Sequence, residues 1–169
     1  SPVERRAEWI HRCRAKVALR AARQVTEKEL EFGITCFLDQ LIETLQLEQA
    51  ADPKRGLKIS GPSGGAMSSH SEMGEAATMH GRELSQQGFT VDQVVHDYGD
   101  LCQAITELAL EDKAPFAVAE FRTLNRCLDH AIADAVTEFT SQRDFVAADK
   151  QADALNQRLG AFAHELRNL

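Results

Sequence analysis

Residues 89–111 read FTVDQVVHDYGDLCQAITELALE, and their spacing decides the class of fold. Thr90 followed three residues later by Gln93 has the form of a capping box. The hydroxyl accepts from the backbone amide of residue 93 while the Gln93 side chain reaches back to the Thr90 amide. Phe89 and Val94 flank that box as a hydrophobic staple does. Beyond it Val91, Val94, Val95, Tyr98, Leu101, Cys102, Ile105 and Leu108 recur at helical spacing. An amphipathic helix is expected over 90–111.

The same device stands upstream in Val25-Thr26-Glu27-Lys28-Glu29-Leu30, with Thr26 as N-cap, Glu29 at the third helical position and Val25 facing Leu30. Ile34, Phe37, Leu38, Leu41, Ile42 and Leu45 then keep a helical period. Pro115 suits the first turn of a last helix. The expected fold is all-α, a bundle of about five helices over roughly 4–23, 26–49, 65–87, 90–111 and 115–169. The last is long enough to extend into a coiled-coil dimerisation segment. The stretch ADPKRGLKISGPSGG, residues 51–65, reads as a long connection between helices.

Composition narrows the function. A net charge of −7 argues against a nucleic-acid surface. Arg5, Arg6, Arg12, Arg14, Lys16, Arg20 and Arg23 surround an apolar line through Trp9, Ile10, Cys13 and Val17, so they read as a solvated helix face. Glu107 and Glu111, like Asp92 and Asp97, read the same way rather than as paired catalytic carboxylates. Cys13, Cys36, Cys102 and Cys127 form no Cys-x-x-Cys pair and each lies in a helical pattern, which suits free thiols in a reducing, cytoplasmic compartment. No apolar run is long enough to span a bilayer, so no membrane contact is expected. GPSGG lacks the Lys-Ser/Thr and the preceding strand of a phosphate loop.

The final residues, LGAFAHELRNL, carry chemistry on a helix face. On an ideal wheel Leu155, Leu159, Phe162, Leu166 and Leu169 fall within about 40° of one direction, and His164 points roughly 180° away. A neutral imidazole offers a nucleophilic nitrogen near physiological pH, and the adjacent Glu165 can take the proton from the opposite ring nitrogen. FAHELRNL resembles the H-box of sensor histidine kinases. The resemblance implies that His164 is the phosphoacceptor, Glu165 its acid/base partner and Asn168 the residue that positions water for dephosphorylating a response regulator. Leu169 stands where the commonest subclass has proline, which implies a straighter helix. It further implies a homodimer, a response-regulator receiver domain as partner, and a chain that stops inside the phosphotransfer hairpin. No cofactor is expected within these residues, since ATP and Mg would belong to a separate catalytic domain, and without that domain they should be inactive alone.

A second resemblance lies upstream. MHGRELSQQGFTVDQVVHDYGDLCQAITELA looks like the N-terminal helical domain of the stressosome RsbT co-antagonist proteins, a domain also found ahead of bacterial histidine kinases. The matching residues are His80-Gly81-Arg82, Gly88-Phe89, Asp97-Tyr98 and the run from Leu101 to Ile105. The resemblance implies a sensory or protein-interaction role. From spacing alone, His70 and His80 share the side of their helix that carries Met73, Ala77 and Leu84, whereas His96 points away from Tyr98 and Leu101. His70, His80 and Tyr98 are the candidate sensor residues. His-x-x-x-His spacing is absent, so no metal site is expected. A zinc or haem site would need His70 or His80 to join residues from elsewhere.

The chain therefore divides into a helical input bundle over 1–146 and, over 147–169, a linker helix with the start of the phosphoacceptor helix. Its expected role is the sensory and dimerisation region of a two-component sensor histidine kinase. Two alternatives stand beside it: a non-enzymatic scaffold of a stress-signalling complex, and a small-molecule or haem sensor without phosphotransfer. Between the bundle and the terminal motif the apolar seam Leu128, Ile132, Ala135, Phe139, Gln142, Val146 lapses over AADKQADA and restarts at Leu155 in another phase.

Overall fold

Both halves of the Thr90 capping box form: the Gln93 amide donates to the Thr90 hydroxyl at 3.2 Å, and the Thr90 amide donates to Gln93 Oε1 at 2.9 Å. The helix they open is one of six in the computed structural model, which describes residues 2–20, 30–50, 52–62, 71–114 and 116–168. In chain order these are α1 (Pro2–Arg20), then a π-helical turn (Leu30–Thr35) running directly into α2 (Cys36–Gln49), α3 (Pro53–Ser60), α4 (Glu72–Gln86), α5 (Val91–Glu111) and α6 (Val118–Arg167). Among the described residues there is no strand. The fold is an all-α bundle with a long C-terminal helix. No helix among the described residues is long and apolar enough to cross a membrane.

The expected elements are present with shifted ends. The Thr26 cap lies outside the described residues, as do residues 65–70. Helix α4 is described from Glu72, with the Ser71 hydroxyl accepting from the Gly74 amide at 3.0 Å. Helix α6 starts at Val118, where Glu120 accepts from the Ala117 amide at 2.8 Å; Pro115 itself lies outside the described residues. The stretch expected to be a connection contains a helix. Asp52 caps α3 by accepting from the Arg55 amide, Pro53 takes its first position and Gly61 follows its end. Its buried face is Gly56, Ile59 and Ser60. A Cβ on Gly56 would sit 3.6 Å from Glu48 Cγ, which is how closely α3 lies on α2.

The core draws Cys13 and Val17 from α1, Phe37, Leu38 and Leu41 from α2, and Met73, Ala77 and Leu84 from α4. Tyr98, Ile105 and Leu108 of α5 meet Leu124, Ala131, Ala135 and Phe139 of α6. Trp9 and Ile10 pack against its edge, so the apolar line of α1 faces inward. Phe139, fully buried, is the last core side chain on α6, and burial of that size contributes about 2–3 kcal/mol. All four cysteines are free, and burial pushes the Cys13 and Cys127 thiols up to about 12.

The charged faces of α1 and α5 are not simply solvated. Arg12 donates to Asp112 at 2.8 Å and to Glu111 at 3.1 Å; Lys16 bridges Glu107 at 3.2 Å and Glu111 at 2.7 Å; Arg20 pairs with Glu107. These pairs are partly exposed, and each contributes at most about 1 kcal/mol. Together they tie one side of α1 to α5, beside the buried Cys13 and Val17. A more enclosed polar cluster joins α2, α3 and α6. Glu48 accepts from Thr123 at 2.5 Å and from Arg126 at 2.6 Å, and Arg126 also donates to Ser60 at 3.2 Å. Burial raises the Glu48 carboxyl, but the hydrogen bonds from Thr123 and Arg126 outweigh it and hold it below its ordinary value of 4.5.

Two glycines are required by geometry. Gly88, between α4 and α5, has φ +82°, and the Phe89 amide closes that turn onto the Leu84 carbonyl at 3.1 Å. Gly81 lies where α4 meets the backbone of α6: a Cβ there would overlap the Ala135 carbonyl oxygen and come within 2.8 Å of its carbonyl carbon. Gly81→Ala should therefore lower stability by about 1–3 kcal/mol, read as a fall in the thermal midpoint by circular dichroism. Because the Glu48 carboxyl is depressed on folding, its contribution is present above pH 4.5 and fades as pH falls below it. Glu48→Gln should flatten the acid limb of stability against pH while leaving its shape near neutrality unchanged.

Candidate functional site

Of three consecutive residues of α4, two meet α6 and one faces away from it. Gly81 touches the Ala135 backbone of α6, and Arg82 Nε donates to Glu138 Oε1 at 2.8 Å. His80, half-buried, turns the other way, into the space between the π-helical turn and α5. Its ring meets that of Tyr98 edge to face, with centroids 6.2 Å apart and planes at 85°. Tyr98 in turn meets Phe37 of α2 in the same manner, at 6.2 Å and 73°. Gly33, in the π-helical turn, is what admits the imidazole: a Cβ there would stand 2.7 Å from His80 Cε1. Such turns carry one extra residue and recur at functional sites.

Two small clefts border the imidazole. One is lined by Phe37, Gln40, Met73, Ala76, Ala77 and Tyr98, the other by Ile34, Asp97, Tyr98 and Leu101, and Gly33 and His80 border both. Each leaves room for about one water molecule. Gln40, which lines the first cleft, keeps its Oε1 buried without a hydrogen-bond partner in the protein. Burial pushes the Tyr98 phenol well above its ordinary value of 10, and the Asp97 and Asp134 carboxylates and the Cys36 thiol add to the effect. Tyr98 is therefore a neutral phenol at any ordinary pH.

Two of the three sensor candidates read from the sequence, His80 and Tyr98, are thus in contact. His70 lies outside the described residues. His96 is exposed as expected and pairs with Asp92 at 3.4 Å. Among the described residues no group of three or more His, Cys, Asp and Glu side chains converges as metal ligands do. Sequence reasoning passed over Gly33 and Gln40. A glycine inside a helical pattern is the signal that could have drawn attention to Gly33, since it costs helix stability unless something needs the space.

His164 sits at the far end of α6, fully outside the bundle. From Arg143 to Asn168 every described residue is exposed. Leu155, Leu159, Phe162 and Leu166 are each more than half exposed. The Asn168 side-chain nitrogen lies 3.2 Å from His164 Nε2. An amide nitrogen only donates, so this contact leaves the Nε2 lone pair facing Asn168. Glu165 is exposed beside it, and Asn168 caps the helix end by donating to the Glu165 carbonyl at 3.1 Å.

The family model described as the RsbT co-antagonist protein rsbRD N-terminal domain matches residues 4–154. The chain belongs to that family. Membership makes it a helical signalling domain of the kind that takes part in stressosome protein–protein complexes. The match takes in His80, Gly81, Arg82 and Tyr98 of this rsbRD-type domain and stops ten residues short of His164. Neither the curated proteins nor the solved structures include a match to it.

If His80 mainly fills space between Gly33 and Tyr98, His80→Phe should melt within a few degrees of the parent domain. His80→Asp should melt lower by the equivalent of about 1–3 kcal/mol, because it sets a carboxylate in a largely apolar niche beside Asp97. Thermal denaturation of the two variants side by side checks this.

Proposed function

We propose that this rsbRD-type domain is the cytoplasmic input and dimerisation region of a two-component sensor histidine kinase, with His164 as phosphoacceptor. One observation carries the reading. Helix α6 continues without a break from the buried Phe139 to His164, with an unpartnered apolar stripe on one side of its end and the histidine on the other. A second copy of the chain covers that stripe, since single surface helices rarely leave four large apolar residues exposed in a row. His164 Nε2 attacks the γ-phosphorus of an ATP held with Mg on a separate domain. An N–P bond forms, ADP leaves with the bridging oxygen, and Glu165 takes the proton from Nδ1. The phosphoryl group then passes to a receiver domain, and Asn168 positions water when the reaction runs toward dephosphorylation. His80 and Tyr98 are the sensor residues, and the clefts beside them receive the input.

A second reading has its own support. The family match ends before the terminal motif, and stressosome-type domains act through protein–protein contacts. On that reading the same stripe docks a partner helix and His164 is an ordinary surface residue. Incubating the full-length gene product with radiolabelled ATP separates the two. Acid-labile label on one histidine, lost in His164→Gln with helicity unchanged, supports phosphotransfer. Glu165→Gln should slow labelling by about 10²- to 10⁴-fold with ATP affinity unaltered. Undiminished label in His164→Gln, or no histidine label in the parent protein, overturns the phosphotransfer reading in favour of the scaffold.

A further inference from the structure

We propose that Arg82, Glu138 and Gln142 form a latch that carries the state of the His80 cleft to the point where α6 leaves the bundle. The proposal rests on reading the cleft as the input, and it is independent of the chemistry at the tip of α6. Two donors share one oxygen: Arg82 Nε from α4 at 2.8 Å and Gln142 Nε2 from α6 at 2.7 Å both reach Glu138 Oε1. The Arg82 hydrogen bond and then that of Gln142 hold the Glu138 carboxyl below its ordinary value, so the acceptor stays charged. Gln142 is the last described residue of α6 that is even half-buried, and everything after it is exposed. The latch therefore closes the final anchored turn of α6, one turn past Phe139.

Its other end is rigidly tied to the cleft. His80 and Arg82 are two residues apart on α4, and between them Gly81 bears directly on the Ala135 backbone. That contact leaves α4 little freedom to slide along α6, so a push on the imidazole turns α4 about Gly81 as a pivot. Arg82, on the other side of the pivot, moves with it and loosens its hold on Glu138. A ring displaced by a guest beside Gln40 or Asp97 would deliver such a push.

Gly33→Ala crowds the imidazole without a ligand, since its Cβ would stand 2.7 Å from His80 Cε1 and 3.0 Å from Nδ1. The readout is amide hydrogen exchange in residues 140–147, measured by mass spectrometry on the 169-residue chain. Arg82→Gln should speed exchange there by about two- to fivefold, the range expected for a surface ion pair, while core segments of α5 keep their protection. Gly33→Ala should speed the same segment in the parent chain and add nothing in the Arg82→Gln background. Arg82→Lys, which keeps the charge, should restore part of the response. Three outcomes overturn the latch: equal effects of Gly33→Ala with and without Arg82, acceleration spread evenly over the bundle, or no change at 140–147. None of them bears on phosphorylation of His164, which the labelling experiment judges separately.

Discussion

The close approach of α4 to α6 at Gly81 is the constraint on which the other contacts depend. Only a residue without a side chain lets the two backbones come this near, and that nearness sets where the flanking side chains arrive. His80 is carried to the π-helical turn and Arg82 to Glu138. Near the first turn of α4 the close neighbour is a side chain, since a Cβ on Gly74 would meet Asp134 Oδ2 at 2.5 Å. Burial raises the Asp134 carboxyl, against the pull of His130, and His130 in turn donates to the Pro62 carbonyl. The α4–α6 pair is thus bounded by glycine at both contacts. The remaining helices are packed around it, α1 held by ion pairs and α3 by Gly56 and the Glu48 cluster.

The polar contacts divide by enclosure. Those between α1 and α5 are open to solvent, sensitive to salt and individually weak. The Glu48–Arg126–Thr123–Ser60 cluster is partly enclosed, and breaking it would strand a charge, since Arg126 Nε is already buried without a partner. The first set tunes the fit of the N-terminal helix, and the second specifies which face of α3 meets α2 and α6.

Much of this was written locally. The Thr90–Gln93 box, the apolar line of α1 and the inward side of α4 around His80 need only residues within a turn or two of one another, and spacing reveals them. Helix α3 was hidden because Gly56 interrupts it and Lys54, Arg55 and Lys58 dilute its apolar face, although Asp52-Pro53 and Gly61 mark its ends. The α1 and α5 charges do lie on solvated faces, but that they pair across the two helices depends on how those helices pack, which neither segment encodes alone. Spacing could name His80 and Tyr98 separately, but their contact depends on how α4 and α5 close over Gly33, which no local pattern encodes. At the C-terminus the wheel sets His164 opposite the leucines and leads one to expect a buried apolar face, yet in the single chain Leu155, Leu159, Phe162 and Leu166 are exposed as His164 is.

The length of α6 has a mechanical meaning. His164 lies 22 residues beyond Gln142, so about 33 Å of helix separates it from its last anchored turn. From Val118 to Leu159 the sequence holds neither glycine nor proline, so that span has no built-in hinge. A tilt of about 5° at Gln142 swings the His164 end by about 3 Å, roughly the length of a hydrogen bond. Helix α6 is a cantilever: 25 of its residues, Val118–Gln142, lie along the bundle and 25, Arg143–Arg167, project from it. Displacements too small to disturb the core become, at its tip, large enough to make or break a contact.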